Sequence, residues 1–427
     1  MAEHTDGIEN ALADILRDVA RLELEHMLRS KLTQAGVKVR TTVLRKAAEH
    51  ILSGNSENFE FGNAAADAAD IEITEHDLNE VLDRIEKFGS EELPQIATEV
   101  ADQTATDLYK YLRKKWPKEH RQQIADLSKF KRNLEKRYGE GLDKLRILMT
   151  IAREWGQKTH NRKLAQSGGN LSYLDEVLLR LHVRACQVAM EIVLLLETGL
   201  ADGAMARWRT LHEITTVATL VSEHGEDIAK RYAEYQVVES KKAMIAYEEC
   251  REELGFAPYS KKQTRKILAE YARLIEAYGK PFGGEYGWIA HLLGQGPQKR
   301  VTFAILQQAA GNKLMRAHYQ MASYNVHASP KGVYFKLGEL ATSTVWLAGV
   351  SNAGLVEPAQ NAALSLAKTT MLICNDLTAP ISENYVFVKI VDSLMREIPQ
   401  DFDRADRKLK RDDKFFRSQI SKKPQKR

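Results

Sequence analysis

Cysteine is scarce in this chain: three in 427 residues, Cys186, Cys250 and Cys374, far apart and without a Cys-x-x-Cys pair. That usage excludes a disulfide framework and a cysteine-ligated structural zinc, and it predicts a reducing, cytoplasmic setting. Long apolar runs are missing too. The most apolar stretch, Val188 to Leu196, is short and holds Glu191, whereas a membrane span needs ~20 such residues. The start, Met-Ala-Glu-His-Thr-Asp, is acidic and meets no apolar segment, so neither a secretory leader nor a membrane partner is expected. Also absent are G-x-x-x-x-G-K-[ST], a G-x-G-x-x-G after a strand, H-E-x-x-H and G-x-S-x-G, and no Asp/Glu/His spacing suits a metal. The reading therefore expects no cofactor and no metal, and names no reaction.

What is there suits a large core and two or more domains, with 44% hydrophobic and 28% charged residues. The formal charge of +4 hides an asymmetry: from Arg404 onward the chain carries +8, which leaves about −4 for the rest. A basic tail of that kind is either a solvated, frayed end or a contact for a polyanion such as nucleic acid.

Nearly every periodic segment reads as helix, and β-branched runs of period two are absent from the apolar region after Leu171. Asp6 and Glu9 have capping-box spacing ahead of Leu12, Ile15, Val19 and Leu22, an amphipathic stripe reaching about Lys31. That stripe is either packed within its own domain or a seam for a homodimer or a partner protein. Ser53 to Asp70 reads as a loop. Thr74 to Asp77 repeats the capping box before Leu78, Val81, Leu82 and Ile85, with a stop at Gly89. The fold expected is all-α: a small helical N-terminal domain over 1–89, a helical connector over 90–165, a multi-helix bundle over 166–400 opened by the Gln166-Ser-Gly-Gly-Asn170 linker, and a basic C-terminal tail over 401–427.

Three polar stripes interrupt the apolar helices of the bundle. Arg316, Tyr319, Gln320, Ser323 and His327 fall within an arc of about 100° on one helix. Arg180, Arg184, Gln187 and Glu191 line a second, and Arg209, His212, Glu213 and Thr216 a third. Charge on such helices is costly unless paired, so the stripes are expected to meet. In one reading they are structural, with Arg209 and Glu213 paired at i, i+4 and His327 satisfied by a carboxylate. In the other they line a cleft for an anionic ligand, RNA among the candidates. Arg180, Arg184 and Arg316 then bind it with Tyr319, Ser323 and His212, while His327, Arg209 and Glu213 carry metal-independent phosphodiester chemistry. Tyr286-Gly287-Trp288 and His291 follow a glycine-rich break and are read as core packing or as a lid.

Several of these segments, G-L-A-D-G-A-M-A-R-W-R-T-L-H-E, R-Y-A-E-Y, Y-G-W and Y-Q-M-A-S-Y-N-V-H-A-S, resemble a bacterial family catalogued as domain of unknown function 5677. The resemblance runs from about Leu171 to Ala379 through Gly199, Arg209, Glu213, Tyr232, Tyr235, Gly287, Trp288, Tyr319, Ser323 and His327, and it implies an all-helical fold without an assigned activity. A looser comparison is with HEPN ribonucleases of toxin and phage-defence systems, whose signature is an arginine, usually followed by a polar residue, with four to six residues between it and a histidine. The spacing occurs at Arg21/His26, Arg45/His50, Arg113/His120, Arg153/His160 and Arg207/His212. His327 instead lies eleven positions after Arg316. A stress or defence role is what that comparison implies.

Overall fold

The computed structural model describes residues 2–54, 58–62, 71–294, 300–340, 346–374 and 381–420, and among these every regular element is helical. The chain divides into two compact units, 1–124 and 125–427.

The first unit holds α1 (Ala2–Gln34), α2 (Thr41–Leu52), α3 (Glu75–Glu91) and the first turns of α4 (Leu93–Gln166). Its core takes Leu24, Met27, Leu28 and Leu32 from α1, Leu44, Ala47 and Ala48 from α2, and Val81 from α3. The buried stripe therefore lies later in α1 than the spacing from Leu12 suggests, and Leu22 is 53% exposed. α1 already runs from Ala2, so its start does not lie at the capping-box spacing of Asp6 and Glu9. The second capping box does form: Thr74 N–H donates to Asp77 Oδ2 at 2.7 Å, and Thr74 Oγ1 accepts from the Asp77 N–H. Lys31 ties α1 to α3 through Asp77 at 2.5 Å and, with Thr74, holds that carboxyl down at about 2. Parts of the expected Ser53–Asp70 loop, 55–57 and 63–70, lie outside the described residues.

The second unit holds the rest of α4, then α5 (Tyr173–Glu197), α6 (Ala201–Cys250), α7 (Lys261–Tyr278), α8 (Arg316–Val326), α9 (Val356–Ile373) and α10 (Ile381–Ile420). Short helical segments lie at Lys280–Gly283, Ala290–Leu293, Phe303–Ala309, Lys313–Met315 and Pro330–Tyr334. The linker expected at Gln166–Asn170 is the turn between α4 and α5, with Gly168 and Gly169 at positive φ. α5 packs along α6, α9 lies against both, and α8 crosses α6. Trp208 of α6 is fully buried at their centre, and its indole N–H donates to Ser365 Oγ of α9 at 3.0 Å. A buried indole satisfied in this way fixes register as well as volume.

α6 is bent at Gly225, whose φ of 74° and ψ of −152° suit glycine rather than a residue with a Cβ. The bend delivers the Glu226 carboxylate to the backbone N–H groups of Tyr173 and Leu174, 2.9 Å from each. A carboxylate there supplies acceptors to the unsatisfied first turn of α5 and favourable charge at its positive end. Each half of α6 can then face a different side of one cleft.

α4 and α10 run antiparallel. Arg137 pairs with Asp412, Glu140 with Arg404, Lys144 with Asp401, and Lys158 with Glu383. Between these pairs α10 buries Phe387, Val391, Leu394, Ile398, Phe402, Ala405 and Leu409, a stripe of heptad-like spacing. The segment from Asp401, expected either as a solvated, frayed end or as a polyanion contact, is not frayed: it is helical through Ile420 and buries Phe402, Ala405 and Leu409. Only 421–427 of that expectation lie outside the described residues. Periodicity overrode composition here, because the lysines and arginines occupy the outer face while every third or fourth residue is apolar.

Candidate functional site

The site centres on Glu213, one turn after Arg209 on α6. Arg209 Nε lies 3.1 Å from Glu213 Oε1 and 3.0 Å from the phenol oxygen of Tyr319 on α8. The Tyr319 hydroxyl in turn donates to the same Glu213 oxygen at 2.6 Å. The guanidinium also lies over the Tyr319 ring, 4.9 Å from its centre, a cation–π geometry. Arg209 Nη1 approaches Nε2 of His327, the residue that ends α8, at 3.3 Å. Arginine can only donate, so in this contact Nε2 of His327 is the acceptor. Burial, then the bonded Glu213, pushes the Tyr319 phenol well above its ordinary range, which keeps it a donor.

The α6 stripe therefore does meet the α8 stripe, through Arg209, Glu213, Tyr319 and His327, whereas the α5 stripe takes no part in these hydrogen bonds. His327 faces a guanidinium and not the expected carboxylate. Ser323 turns its hydroxyl back to the Tyr319 carbonyl at 2.8 Å, one helical turn away. His212 and Thr216, grouped with Arg209 by spacing, sit in the core: His212 is 2% exposed, its Nε2 is 2.8 Å from Gln307 Nε2, and burial holds its imidazole down at about 4. The α6 stripe is wide enough that Arg209 and Glu213 reach the surface while His212 turns inward. Arg316 is exposed at the start of α8 and joins neither the network nor the cleft beside it.

That cleft, about 1040 Å³, opens next to Glu213 between α5, both halves of α6, residues 285–288 and Phe303. Arg180 and Arg184 reach it from α5, Tyr232, Tyr235, Glu239 and Lys242 from the far half of α6, and Glu285, Tyr286, Trp288 and Phe303 from the connecting segment. Arg180 is held by Glu176 at 2.7 Å, and Arg184 donates to Gln187 at 2.7 Å. Glu191, the last member of the α5 stripe, pairs with Arg207.

Backbone geometry fixes the aromatic wall. Tyr286 has φ of 52°, rare for a residue with a Cβ, and lies between Glu285 and a glycine that has no alternative. A Cβ on Gly287 would stand 2.0 Å from the Phe282 carbonyl oxygen. Tyr235 donates its hydroxyl to the Gly284 carbonyl, which anchors the segment to α6. Trp288 is buried edge-to-face against Tyr232, so half of the Tyr-Gly-Trp cluster is core, while Tyr286 faces the cleft. Burial, then the Glu213 carboxylate, pushes the Tyr286 phenol up to about 12. His291 is exposed and outside the cleft lining.

Lys242 and Glu239 were not singled out by spacing, although Tyr235, Glu239 and Lys242 follow one another at i, i+4, i+7. Among the described residues no group of three His, Cys, Asp or Glu side chains could hold a metal ion, and no helix is long and apolar enough to cross a membrane.

Residues 175–342 match the profile of a family described as a family of unknown function, DUF5677. No curated protein and no solved structure matches the chain. The family match bears out the resemblance read from the Arg209, Tyr232, Tyr-Gly-Trp and Tyr319–His327 segments. It also contains every residue named above in the cleft and in the network around Glu213.

Proposed function

We propose that the cleft binds nucleotide units of an RNA strand, and that His327 with Arg209 acts on the phosphodiester without a metal. The observation that carries this reading is the charge left over in the cleft. Among the described residues Glu176 is spent on Arg180, Glu213 on Arg209 and Glu285 on Arg300, so Arg184 and Lys242 face Glu239 alone. Tyr232, Tyr286 and Phe303 stand half-buried beside these cations. An aromatic wall next to unspent cations suits an unstacked base and its phosphate.

In this reading Glu213 and Tyr319 hold Arg209, whose outer N–H groups turn to the phosphate. Moving Nη1 away from His327 frees Nε2 to take the proton of the ribose 2′-hydroxyl. The 2′-oxygen then attacks phosphorus and the 5′-oxygen leaves with a proton from water, giving a 2′,3′-cyclic phosphate. An RNA-cutting protein of this kind would serve a stress or phage-defence role. The test is binding and cleavage of a labelled oligouridylate in the presence of EDTA. Arg184→Ala with Lys242→Ala is expected to weaken binding by roughly tenfold or more, and His327→Ala to abolish cleavage while binding persists. Wild-type affinity in the double variant would overturn the reading.

A second reading has its own observation. Arg209, Glu213 and Tyr319 satisfy one another, as a register lock between α6 and α8 would require, and in the first unit Leu22 and Leu82 are 53% and 55% exposed. These favour a non-catalytic interaction protein that meets a partner, or a second copy, through its N-terminal helices. Leu22→Asp with Leu82→Asp would then change the oligomeric state or abolish partner capture and leave RNA binding untouched.

A further inference from the structure

A second hollow, about 1080 Å³, lies between the last turns of α4 and the outer face of α5. It shares Glu176, Arg180 and Arg184 with the cleft, which places these three on a ridge between the two. The floor is uncharged. Gly156 of α4 lets His182 of α5 come close, since a Cβ there would stand 2.6 Å from the imidazole. His182 bonds Thr370 at 3.1 Å, and burial alone holds it down at about 4; burial pushes the neighbouring Cys186 thiol up to about 11. Leu164, Val183 and Met190 line the groove and are exposed to solvent, Val183 at 67%.

The rim has the opposite character. Arg153 from α4 and Arg184 from α5 border the groove, and neither has a carboxylate partner among the described residues. Its single acidic residue, Glu176, is already bonded to Arg180. Exposed apolar walls beside two uncompensated guanidiniums are complementary to one kind of molecule, with an apolar body and an anionic head. Self-association is disfavoured by the same charges, because an isologous contact across this face would bring Arg153 and Arg184 toward their own copies. The hollow is in the size range of small-molecule sites.

We infer that this groove binds an amphipathic organic anion, an acyl or aromatic body with a carboxylate, sulfonate or phosphate head, held by Arg153 and Arg184 over the Leu164, Val183 and Met190 surface. The groove shares Arg184 with the cleft, whereas Arg153 and Val183 belong to the groove alone and Lys242 to the cleft alone.

The experiment is a fluorescence titration of the full chain with anilinonaphthalene sulfonate, followed by competition with dodecanoate and with dodecyltrimethylammonium below their micellar concentrations. Saturable binding is expected, displaced by dodecanoate and not by the cation of equal chain length. Arg153→Ala is expected to weaken it about tenfold, the loss of one charge-assisted contact, and Val183→Asp to abolish it, both with an unchanged melting temperature because both side chains are exposed. Lys242→Ala is expected to leave it at wild-type strength, so a failure of the cleft reading stays separate from a failure here. Equal displacement by the cation, or wild-type affinity in Arg153→Ala, would overturn the inference. So would a wild-type dimer in sedimentation that Val183→Asp dissociates, since the occupant would then be a second copy.

Discussion

Arg209 and Tyr319 stand 110 residues apart in sequence and 3.0 Å apart in space, guanidinium Nε to phenol oxygen, with Glu213 accepting from both. The three form a closed triangle that ties α8 to α6 beside the cleft. Groups sharing one acceptor do not contribute independently.

Tyr319→Phe is therefore expected to cost ~1–2 kcal/mol, leaving Glu213 short of a donor. Glu213→Gln made on that background should cost clearly less than in the wild type. Urea denaturation of the two single variants and the double variant measures the coupling. Strictly additive costs would show that the triangle is three separate contacts.

Gly287→Ala is expected to destabilise the second unit by about 3 kcal/mol or to misplace Tyr286 and Trp288, because the new methyl meets a backbone carbonyl that cannot rotate away. Gly349→Ala meets nothing within 4 Å and serves as the control. Melting temperatures of the two variants decide the matter, and an equal effect would contradict the strained-turn account.

Acid should weaken the second unit through two buried imidazoles. His182 and His212 both have folded pKa values near 4, below the ordinary 6.5, chiefly from burial. The unfolded chain binds these protons more readily, so their contribution is fully present above about 6.5 and is lost as pH falls toward 4. The loss is on the order of 3 kcal/mol for each group. Urea midpoints measured down that range should fall steeply, and less steeply in His182→Gln. A flat profile in the wild type would mean that these side chains are hydrated.

Much of the fold was legible because helical periodicity is a local signal. The capping box at Thr74 and the Arg209–Glu213 pair follow from spacings of three or four residues, and the turn before α5 from its run of Ser, Gly and Asn. The network was legible only as separate stripes. Nothing local tells Tyr319 that its partner is Arg209, or sends His212 inward while its neighbour Glu213 faces out. Lys242 escaped notice because its relation to Arg184 depends on the bend at Gly225, a tertiary consequence of one backbone conformation. Composition misled at the C-terminus, where a strongly basic stretch concealed the buried Phe402, Ala405 and Leu409.

The most direct test of the cleft's function is the salt dependence of oligouridylate affinity in the wild type and in Arg184→Ala with Lys242→Ala. Each phosphate contact on a single strand contributes ~0.7 to the slope of log affinity against log salt. Loss of two contacts should lower the slope by about 1.4 and weaken binding most at low salt. An unchanged slope, or a wild-type protein whose affinity ignores salt, would contradict an RNA site built on Arg184 and Lys242.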